Sequence, residues 1–428
     1  MKNVNIKASY DVIVCGGGPA GFVAAISAAR AGKSVALVEK YSFLGGTASG
    51  GYVIPISGFY FQGKRVVGGI AWEFVNRLEE KGAALVELPK GHVSVDTEYY
   101  KLIAQEMVLE AGVKLITNAV VTDCEVEDKK VKYIEIFSKS GKEYLEAKVF
   151  IDATGDGDLC FMSGMEMMEN VNTQPASMCF MIGGADITTD LLKNCIHHDG
   201  KNCKNSVNSV IAEYLNSIAK EREVPQFGGP WFNTLLKGDC LAVNITRANF
   251  NAVNNDELTD AESQLRRDMF ALVDLLKERF PEFKDCHILA SPANAGIRET
   301  RHIKGVKVLT AENFYSIGED DCRVAHSAHP MDIHHANGSG QDLTYLPNDA
   351  YVPYDSMVSA DVDNVIAAGR CISAESAPYA SLRVQATVMS IGEAAGIAAA
   401  LSVNSADAVN SLDKAELKKL IDERNFVL

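Results

Sequence analysis

The residues Tyr10-Asp-Val-Ile-Val-Cys15 run directly into Gly16-Gly-Gly-Pro-Ala-Gly21, and Ser34-Val-Ala-Leu-Val-Glu39 follows after an alanine-rich stretch at 22–30. The two apolar runs have the length and composition of buried strands. The stretch between them predicts a helix that ends at Gly32, because glycine favours the left-handed backbone just beyond a helix. Together these elements form a strand–helix–strand unit, which is typical of a parallel sheet.

The turn between the first strand and the helix carries the spacing G-x-G-x-x-G at Gly16, Gly18 and Gly21. The first glycine permits a tight turn, the second lets the backbone approach a pyrophosphate at the helix N-terminus, and the third lets helix and strand pack closely. Glu39 at the end of the second strand can accept hydrogen bonds from ribose hydroxyls and would repel a phosphate there. The unit therefore predicts binding of FAD or NAD rather than NADP; the alternative is an ordinary glycine turn in an α/β protein.

Glycine-rich turns recur at three more places along the chain. They lie at 45–51 behind the second strand, at 155–157 after Lys148-Val-Phe-Ile-Asp-Ala-Thr154, and at Gly369 after Asp363-Asn-Val-Ile-Ala-Ala368. A nicotinamide-binding domain needs fewer such turns, whereas the backbone can contact a longer cofactor at several of them. The pattern therefore favours FAD.

The composition limits the class of protein. The chain has 428 residues, of which 47% are apolar and 23% are charged. These fractions are typical of globular proteins and exclude a disordered chain, and the length suggests two or three domains. Lys plus Arg number 41 against 56 Asp plus Glu, which gives a net charge of −15. An acidic balance argues against nucleic acid or an anionic membrane as the main partner. We expect a small-molecule substrate and leave open an oligomer of identical chains.

The ten cysteines are scattered singly, and none of them forms a C-x-x-C pair. Their spacing gives no support to a dithiol redox pair, a zinc ribbon or an iron–sulfur cluster, and predicts buried, reduced thiols in a cytoplasmic protein. The N-terminus lacks the layout of a signal peptide. Residues 12–29 are uncharged, but the glycines and the proline inside that window argue against a membrane span and favour a strand, a turn and a helix.

The chain resembles the FAD-dependent oxidoreductase family, which belongs to the glutathione-reductase-type FAD-binding superfamily and has fumarate-reductase-like relatives. The resemblance covers nearly the whole chain and rests on the segments VIVCGGGPAGFVAAISAARAG, LGGTASGG, VGGIAWEFVNRL, FIDATGDGD, TQPASMCFMIGG, GIRETRHIKG, HPMDIH, DNVIAAGRCISAESAPYASLRV and GEAAG. It implies an α/β fold: a Rossmann-like FAD-binding domain, with a parallel sheet plus an antiparallel meander, and an inserted α+β substrate domain. We expect residues 1–165 and 346–428 to form the discontinuous FAD-binding domain and residues 166–345 to form the substrate domain.

The residues expected to contact FAD follow from the glycine turns and from the resemblance. They are Gly16, Gly18, Pro19, Ala20, Gly21, Glu39, Lys40, Gly45, Gly46, Thr47, Val120, Ala153, Thr154, Gly155, Asp156, Gly369, Arg370, Leu382, Arg383 and Val384. In the resembled fold, the helix that begins near 381–385 points its N-terminus at the N1–C2=O edge of the flavin, where backbone N–H groups stabilise the anion of reduced flavin. Leu382, Arg383 and Val384 are therefore the expected neighbours of the isoalloxazine ring; the alternative is a helix N-terminus at the surface.

Arg298 and Arg301 are candidates for substrate binding. They lie three residues apart in Gly296-Ile-Arg-Glu-Thr-Arg-His302. Arginine forks bind carboxylates through two parallel hydrogen bonds, so these residues favour an anionic or polyhydroxylated small substrate. The competing interpretation is that either arginine pairs with a carboxylate of the protein, such as Glu299 or Asp332.

Two histidines are candidates for proton transfer beside the flavin. His329 and His334 flank Pro330-Met-Asp332 inside the family-like segment HPMDIH, and histidine is the side chain that titrates near neutral pH. The alternative is that both belong to a hydrogen-bonded loop. The histidines between 326 and 335 match no known metal-ligand spacing, and we expect no metal.

One segment departs from the resembled family. Its members often have His-Glu-Ala-Leu-Gly before Ser-Leu-Arg, whereas this chain has Ser376-Ala-Pro-Tyr379-Ala380. Residue 376 cannot transfer a proton as that histidine would, and Tyr379 could do so only with a lowered pKa. This departure suggests a distinct substrate.

The leading hypothesis is an FAD-dependent oxidoreductase that moves a hydride between flavin and a small organic substrate, in a direction that the residues leave open. A disulfide reductase is disfavoured because the chain lacks C-x-x-C and a second G-x-G-x-x-G unit for NADPH. Two alternatives remain: a non-catalytic or electron-transfer FAD-binding subunit, and a flavin monooxygenase.

Overall fold

The structure is a computed structural model that describes residues 4–87, 92–169, 173–193, 196–197, 206–227, 229–234, 240–318 and 321–424. Its strands are β1 (Ile6–Cys15), β2 (Val35–Glu39), β3 (Tyr60–Phe61), β4 (Lys64–Arg65), β5 (Ala84–Glu87), β6 (His92–Val95), β7 (Lys114–Thr117), β8 (Val120–Glu127), β9 (Lys130–Ser138), β10 (Gly141–Asp152), β11 (Phe180–Gly183), β12 (Ile196–His197), β13 (Trp231–Thr234), β14 (Leu241–Asn244), β15 (His287–Ala290), β16 (Arg323–Ser327), β17 (Met331–His334), β18 (Gln341–Thr344), β19 (Ala350–Pro353) and β20 (Val365–Ala367). Its α-helices are α1 (Pro19–Arg30), α2 (Thr47–Gly50), α3 (Gly69–Glu80), α4 (Thr97–Glu110), α5 (Asp158–Met162), α6 (Asp190–Lys193), α7 (Ser206–Ile218), α8 (Asn255–Arg279), α9 (Ser376–Leu382), α10 (Gln385–Ser405) and α11 (Lys414–Arg424).

The main sheet of the described residues has seven strands. Their order is β7-β2-β1-β10-β9-β8, and β20 pairs with β10. β1, β2, β7, the second part of β10 and β20 run parallel, whereas β8, β9 and the first part of β10 form an antiparallel meander. All five residues of β2 are buried, as is usual for a parallel strand covered on both faces. The arrangement confirms the predicted α/β fold with its parallel sheet and meander.

β10 belongs to both parts of the main sheet. The sequence predicts one strand over 142–148 and another that starts at Lys148, but the structure forms a single strand from Gly141 to Asp152. Its first part pairs with β9 and its last three residues pair with β20. Cys15, Asp152 and Ala367 are register partners across β1, β10 and β20, so the carboxyl ends of these strands meet at one edge of the sheet. That edge is where open α/β sheets bind their ligands.

α1 and α10 pack against each other and against the parallel strands. A Cβ atom on Gly392 would overlap the carbonyl of Ala20, and one on Gly396 would overlap the carbonyl of Ala24. Because these glycines lie one turn apart on α10, the two helix backbones can approach more closely than side chains would permit.

Helix α10 is the one described helix that is long and apolar enough to cross a membrane. Its most apolar window has a mean hydropathy of 1.5, and 94% of that window is buried inside the molecule. A core helix passes the same test of length and composition, so this finding is weak evidence for a span. The cytoplasmic location stays a prediction.

The sequence predicts Asp96 and Thr97 as cap residues of a helix over 99–112, and the structure begins α4 at Thr97. Asp96 caps this helix, since its Oδ1 accepts hydrogen bonds from the backbone N–H groups of Glu98 at 2.9 Å and Tyr99 at 3.2 Å. The apolar residues between 113 and 123 predict a single strand, but the structure splits this stretch into β7 and β8 because Asn118 has a φ of 55° and turns the chain.

The sequence predicts an amphipathic helix over 259–280 with a capping box at Thr259 and Glu262, and the predicted start is wrong. The helix begins at Asn255 and is capped by Asn254, whose Oδ1 accepts from two backbone N–H groups of the first turn. The Thr259 hydroxyl donates to a carbonyl of the preceding turn, and Glu262 accepts from the backbone N–H of Ala295 outside the helix. The pattern Thr-x-x-Glu resembled a capping box, but both side chains are used elsewhere.

A second, five-stranded sheet has the order β12-β13-β14-β11-β15. Its hydrophobic core is built from residues between Phe180 and Cys286, with α8 contributing Leu272 and Leu276. The core of the main sheet is built largely from residues 12–165 and 303–421. The domain boundaries at 165/166 and 345/346 stay a prediction.

Most of the described cysteines are isolated thiols. They are Cys15, Cys124, Cys160, Cys179, Cys322 and Cys371, and all except Cys124 are buried. Cys195 and Cys203 lie outside the described residues. The sequence also predicts an amphipathic helix over 205–220; its first residue, Asn205, lies outside the described residues, and α7 is described from Ser206 to Ile218.

Candidate functional site

A cavity of about 220 Å³ lies where β1, β2 and β10 end beside the N-terminus of α1. Gly16 has a φ of 97°, and a Cβ atom there would overlap the carbonyl oxygen of Ala153. A Cβ atom on Gly21 would overlap the carbonyl oxygen of Gly16. Both positions require glycine because the turn closes against backbone.

Gly18 leaves room where the other two glycines do not. A Cβ atom there would meet only the Cα of Gly46, at 3.8 Å. Gly18 is the N-cap residue of α1, and no side chain caps this helix. The first N–H groups of α1 are therefore available to an anion. An open backbone beside an uncapped helix N-terminus fits the pyrophosphate of a dinucleotide.

Glu39 closes this cavity at the end of β2. Its Oε2 accepts from the backbone N–H of Gly17 at 2.6 Å, and its Oε1 accepts from that of Tyr41 at 2.9 Å. Burial raises the pKa of Glu39, and these two donors oppose the rise. Each oxygen has a second lone pair, which fits the predicted acceptance of hydrogen bonds from ribose hydroxyls.

Most of the residues expected to contact the cofactor line this cavity. They are Gly16, Gly18, Pro19, Ala20, Glu39, Lys40, Gly46, Thr47, Val120, Ala153, Thr154, Gly155, Asp156, Gly369, Arg370 and Arg383. Gly21 and Gly45 lie outside the lining, and the N–H of Gly45 supports the glycine turn by donating to the carbonyl of Gly17 at 2.8 Å. Leu382 corrects an expectation: as the last residue of α9, it places its side chain in the hydrophobic core and lines neither cavity.

Asp156 and Arg370 join two of the glycine-bearing strand ends. Arg370 Nη2 lies 2.8 Å from Asp156 Oδ1, and the Thr300 hydroxyl donates to the same oxygen at 2.8 Å. Burial would raise the pKa of Asp156, but the charge of Arg370 and the hydrogen bond from Thr300 hold it below its usual value. Asp156 is therefore ionised at neutral pH.

Part of this cavity comes from residues that the sequence analysis missed. They are Ala252, Leu258, Glu262, Asn294, Ala295 and Ile297. Two of them lie on α8 and the others on loops near the second sheet, far along the chain from the glycine turn. No glycine turn marks them, and only tertiary packing brings them to the cofactor site.

A larger cavity of about 780 Å³ adjoins the first. Both cavities are lined by Thr47, Ile297, Arg370, Arg383 and Gln385. The N-terminus of α10 also reaches the larger cavity, where Val384 is the N-cap residue and no side chain caps the helix. Free N–H groups thus lie close to the junction of the two spaces, as the prediction for the flavin ring requires.

Arg298 and Arg383 line the larger cavity. Arg298 Nη1 donates to the carbonyl of Pro175 at 2.6 Å and to the Ser177 hydroxyl at 2.9 Å. Burial and the charge of Arg383 lower the pKa of Arg298 to about 10. The guanidinium group therefore stays charged at neutral pH.

Arg301 lines neither cavity, and its expected role at the substrate is corrected. It forms an ion pair with Asp158, its Nε donates to the carbonyl of Asp156 at 2.9 Å, and its guanidinium lies 4.6 Å from the centre of the Phe161 ring. The segment that holds Arg298 and Arg301 is not helical, so the two side chains do not share a face. The alternative pairing with a protein carboxylate describes Arg301.

His334 and Asp332 form a hydrogen-bonded pair in β17. His334 Nε2 lies 3.2 Å from Asp332 Oδ2, and its Nδ1 lies 3.2 Å from Arg247 Nη2. Burial and the charge of Arg298 lower the pKa of His334 to about 4. The neutral ring therefore accepts from Arg247 through Nδ1 and donates to Asp332 through Nε2. Both ring nitrogens are occupied.

His329 lines the larger cavity and differs from His334 in the partners of its ring nitrogens. Its Nδ1 lies 2.8 Å from the carbonyl oxygen of Pro330, which can only accept, so Nδ1 carries the proton. Burial lowers the pKa of His329, and the carboxylate of Asp332 partly opposes this. At neutral pH the ring is neutral, and its Nε2 keeps a lone pair.

Ser376 and Tyr379 are used structurally. The Ser376 hydroxyl lies 3.3 Å from Glu299 Oε1, and the Tyr379 hydroxyl donates to the carbonyl of Arg298. Burial raises the pKa of Tyr379 far above its usual value. Tyr379 thus lacks the lowered pKa that proton transfer would need. Among the described residues, no group of three or more His, Cys, Asp or Glu side chains is placed to hold a metal ion.

Comparison with protein families gives a match along nearly the whole chain. A family described as FAD dependent oxidoreductase matches residues 11–421. The glycine turn, the uncapped helix and the Glu39 carboxylate supply the features that FAD needs from such a site.

Curated relatives match in shorter stretches. The thiamine thiazole synthase of Pyrococcus horikoshii is 34% identical over 155 residues, which are 34% of this chain and 58% of that protein. A dihydrolipoyl dehydrogenase of Trypanosoma brucei brucei is 56% identical over 46 residues, or 11% of this chain and 10% of that protein. The chain thus spans less than two thirds of these relatives.

A solved structure resembles the fold along its length. The geranylgeranyl bacteriochlorophyll reductase-like protein of Thermoplasma acidophilum aligns with a TM-score of 0.50 over 98% of this chain and 84% of that chain, at 15% identity. At this identity the likeness concerns the fold alone.

Proposed function

Because the chain belongs to the FAD dependent oxidoreductase family and FAD is its cofactor, we propose that it oxidises or reduces a small organic anion held in the larger cavity. Bound FAD supplies the carrier that takes up or gives a hydride. The observation that carries the proposal is the excess of positive charge in a cavity that adjoins the nucleotide site.

Three arginines line this cavity against one carboxylate among the described lining residues. Arg370 is paired with Asp156, and Asp332 is held by His334 and lies 3.9 Å from Arg383. Among the described residues, Arg298 hydrogen-bonds only neutral groups, the carbonyl of Pro175 and the Ser177 hydroxyl. A carboxylate on the substrate would give the Arg298 guanidinium a charged partner through two charge-assisted hydrogen bonds.

His329 is the group that we expect to handle the proton. When a substrate C–H carbon loses its hydride, the hydroxyl or amine on that carbon must lose a proton. The lone pair on His329 Nε2 can accept it, because Nδ1 already holds the ring proton against Pro330. In the reverse direction the protonated ring returns the proton to the substrate.

A cavity of about 780 Å³ beside the nucleotide site favours an enzyme over an electron-transfer subunit, which would need an exposed docking surface rather than a pocket for a small substrate. A flavin monooxygenase would need a separate reductant and molecular oxygen. Reduction of the flavin by the substrate alone, without oxygen, separates hydride transfer from that alternative.

The test is anaerobic titration of the holoenzyme with a panel of hydroxy acids, amino acids and sugar acids, followed by flavin absorbance near 450 nm. We expect one class to bleach the flavin. Arg298→Gln should raise the half-saturating concentration of that compound at least about tenfold. Arg222→Gln, which removes an exposed arginine paired with Glu278, is the matched control.

Two results would contradict the proposal. One is a panel in which no compound reduces the flavin and none reoxidises it after chemical reduction. The other is a reactive compound whose half-saturating concentration is the same in the Arg298→Gln variant and in the Arg222→Gln control.

A further inference from the structure

The second sheet supplies one wall of the larger cavity. Trp231 and Asn233 on β13, and Asn244 on β14, all line this cavity. Trp231 is the register partner of Asn244, and Asn233 is the register partner of Ala242. Paired residues and residues two apart on a strand share a face, so the indole and the two amides project from the same side of the sheet.

Asn233 has a fixed orientation and an unused acceptor. Its Nδ2 donates to the carbonyl oxygen of Ile54 at 3.2 Å, which sets which end of the amide is oxygen. The residue is only 5% exposed, and its Oδ1 is buried without a hydrogen-bond partner among the described residues. A buried carbonyl without a donor is unfavourable, and the adjoining open space is the cavity.

Within the described residues, Asn244 provides a second unpartnered amide oxygen one step away. Its Oδ1 is also buried and has no partner in the part of the chain that the structure describes. As a diagonal neighbour of Asn233 on an antiparallel pair, it is close enough for one ligand to contact both amides. Two acceptors side by side on one wall of a cavity form a site that only hydrogen-bond donors can satisfy.

We propose that this wall, formed by Trp231, Asn233 and Asn244, is a subsite for the hydroxyl groups of a hydroxylated carboxylic acid. The inference rests on the proposed function, because it takes the carboxylate of the same substrate to be held by Arg298. It adds a second recognition element of opposite chemistry. The arginines donate hydrogen bonds to the substrate carboxylate, and the amide oxygens of the wall accept them from the substrate hydroxyls.

Hydroxyl groups fit this wall better than an ammonium group. Arg298, Arg370 and Arg383 already make the cavity positive, and the one lining carboxylate among the described residues, that of Asp332, is engaged by His334. A further cation would be repelled there and would find neutral amide oxygens rather than a carboxylate. Hydroxyls donate to amide oxygens at little desolvation penalty, and the indole of Trp231 offers an apolar surface to the carbons between them.

The test measures binding of three probes to the holoenzyme by perturbation of the flavin absorption spectrum. Gluconate carries a carboxylate and hydroxyls, hexanoate carries the carboxylate alone, and 6-aminohexanoate carries a carboxylate and an ammonium group. We expect gluconate to bind at least about tenfold more tightly than hexanoate. The Asn244→Val variant should lose most of that preference while its affinity for hexanoate changes less than about twofold.

Asn244→Asp is the second variant, because it keeps an acceptor oxygen at this position. It should retain the gluconate preference to within about threefold and improve the binding of 6-aminohexanoate. Flavin content and melting temperature report whether each variant is folded. If Asn244→Val does not fold, the subsite is tested by the Asn244→Asp variant and by the comparison of the three probes on the unmodified enzyme.

Equal binding of gluconate and hexanoate to the unmodified enzyme, or tighter binding of 6-aminohexanoate than of gluconate, would overturn the subsite while leaving the anion site intact. Failure of all three carboxylates to bind would overturn the proposed function and this inference with it. Loss of hexanoate binding in Arg298→Gln, together with an unchanged gluconate preference in Asn244→Val, would sink the subsite alone.

Discussion

His329 is the side chain at the larger cavity whose state of protonation matters most for the proposed chemistry. Its pKa is lowered from 6.5 because burial disfavours the charged ring and Arg383 repels it, while Asp332 acts in the opposite sense. Above that pKa the ring is neutral and can accept a proton. If the enzyme oxidises its substrate, the rate constant of flavin reduction should fall as the pH drops through a value below 6.5.

The side of the pH profile on which this fall occurs reports the direction of the reaction. An enzyme that reduces its substrate needs the protonated ring, so its rate would fall as the pH rises through the same value. In either case His329→Gln should remove this pH dependence and lower the rate by about 10²-fold or more. His334→Gln is the matched control and should leave the pH dependence in place; a profile unchanged in His329→Gln would refute the role.

The sequence could not distinguish these two histidines. Both flank the same Pro-Met-Asp segment, and either could have been the proton carrier. The difference lies in Arg247, which the sequence analysis did not single out and which occupies the Nδ1 of His334. Likewise, the motif does not distinguish Arg298 from Arg301. Because the backbone there is not helical, Arg298 lines the larger cavity whereas Arg301 forms an ion pair with Asp158.

At the level of elements, the turn into α1 combines two requirements that substitution can separate. Gly21 is needed for folding, because a Cβ atom there would overlap the carbonyl of Gly16. Gly18 has open space around it and a φ of −66°, which any residue adopts. We expect Gly21→Ala to lower the free energy of unfolding by about 1–3 kcal/mol. Gly18→Ala should leave the apoprotein as stable as the unmodified chain.

For FAD binding the order should be reversed: Gly18→Ala, which we expect to leave stability unchanged, should be the variant that weakens binding directly. A methyl group on Gly18 lies where the pyrophosphate would approach the backbone, so Gly18→Ala should weaken FAD binding at least about tenfold. Reconstitution of the apoprotein, followed by quenching of flavin fluorescence, gives the dissociation constant, and urea denaturation gives the stability. A Gly18→Ala protein that binds FAD normally would contradict this account of the site.

Local signals predicted the elements well where one interaction sets a boundary. The glycine turn, α1, β2 and the Asp96 cap of α4 each depend on residues adjacent in sequence. The bounds of β10 and α8 were harder to predict from the sequence. β1 stays paired with β10 from Tyr144 to Asp152 while the other partner of β10 changes from β9 to β20, and α8 begins at the Asn254 cap rather than at the Thr259 pattern.

At the scale of the whole molecule, the candidate site is a product of long-range packing. The cofactor residues on glycine turns were predictable because each motif carries its own chemistry. The wall made by β13 and β14, and the contribution of α8 to the nucleotide cavity, have no local signature. Sequence patterns therefore predicted what the protein binds as a cofactor but only part of the pocket beside it.

Packing of the whole molecule also buries a carboxyl group between three helices. Glu393 on α10 is 2% exposed, its Oε2 accepts from the backbone N–H of Ile70 on α3 at 2.8 Å, and its carbonyl accepts from Ser27 on α1. Burial raises the pKa of Glu393 from 4.5 to about 7. Folding therefore keeps a proton on this group at pH values where the unfolded chain has released it.

The sign of the resulting pH dependence follows directly. Below pH 4.5 the carboxyl is protonated in both states and has no effect; between 4.5 and about 7 the unfolded state binds fewer protons, so the free energy of unfolding falls as the pH rises. The loss reaches at most about 3 kcal/mol above pH 7.

Glu393→Gln keeps an acceptor for Ile70 without a charge, so it should be more stable than the unmodified protein by about 1–3 kcal/mol at pH 8.5 and nearly equal to it at pH 4.5. Urea denaturation at the two pH values measures the difference, with Glu106→Gln on the exposed face of α4 as the control. A stability gain that is the same at both pH values would show that charge burial is not its cause.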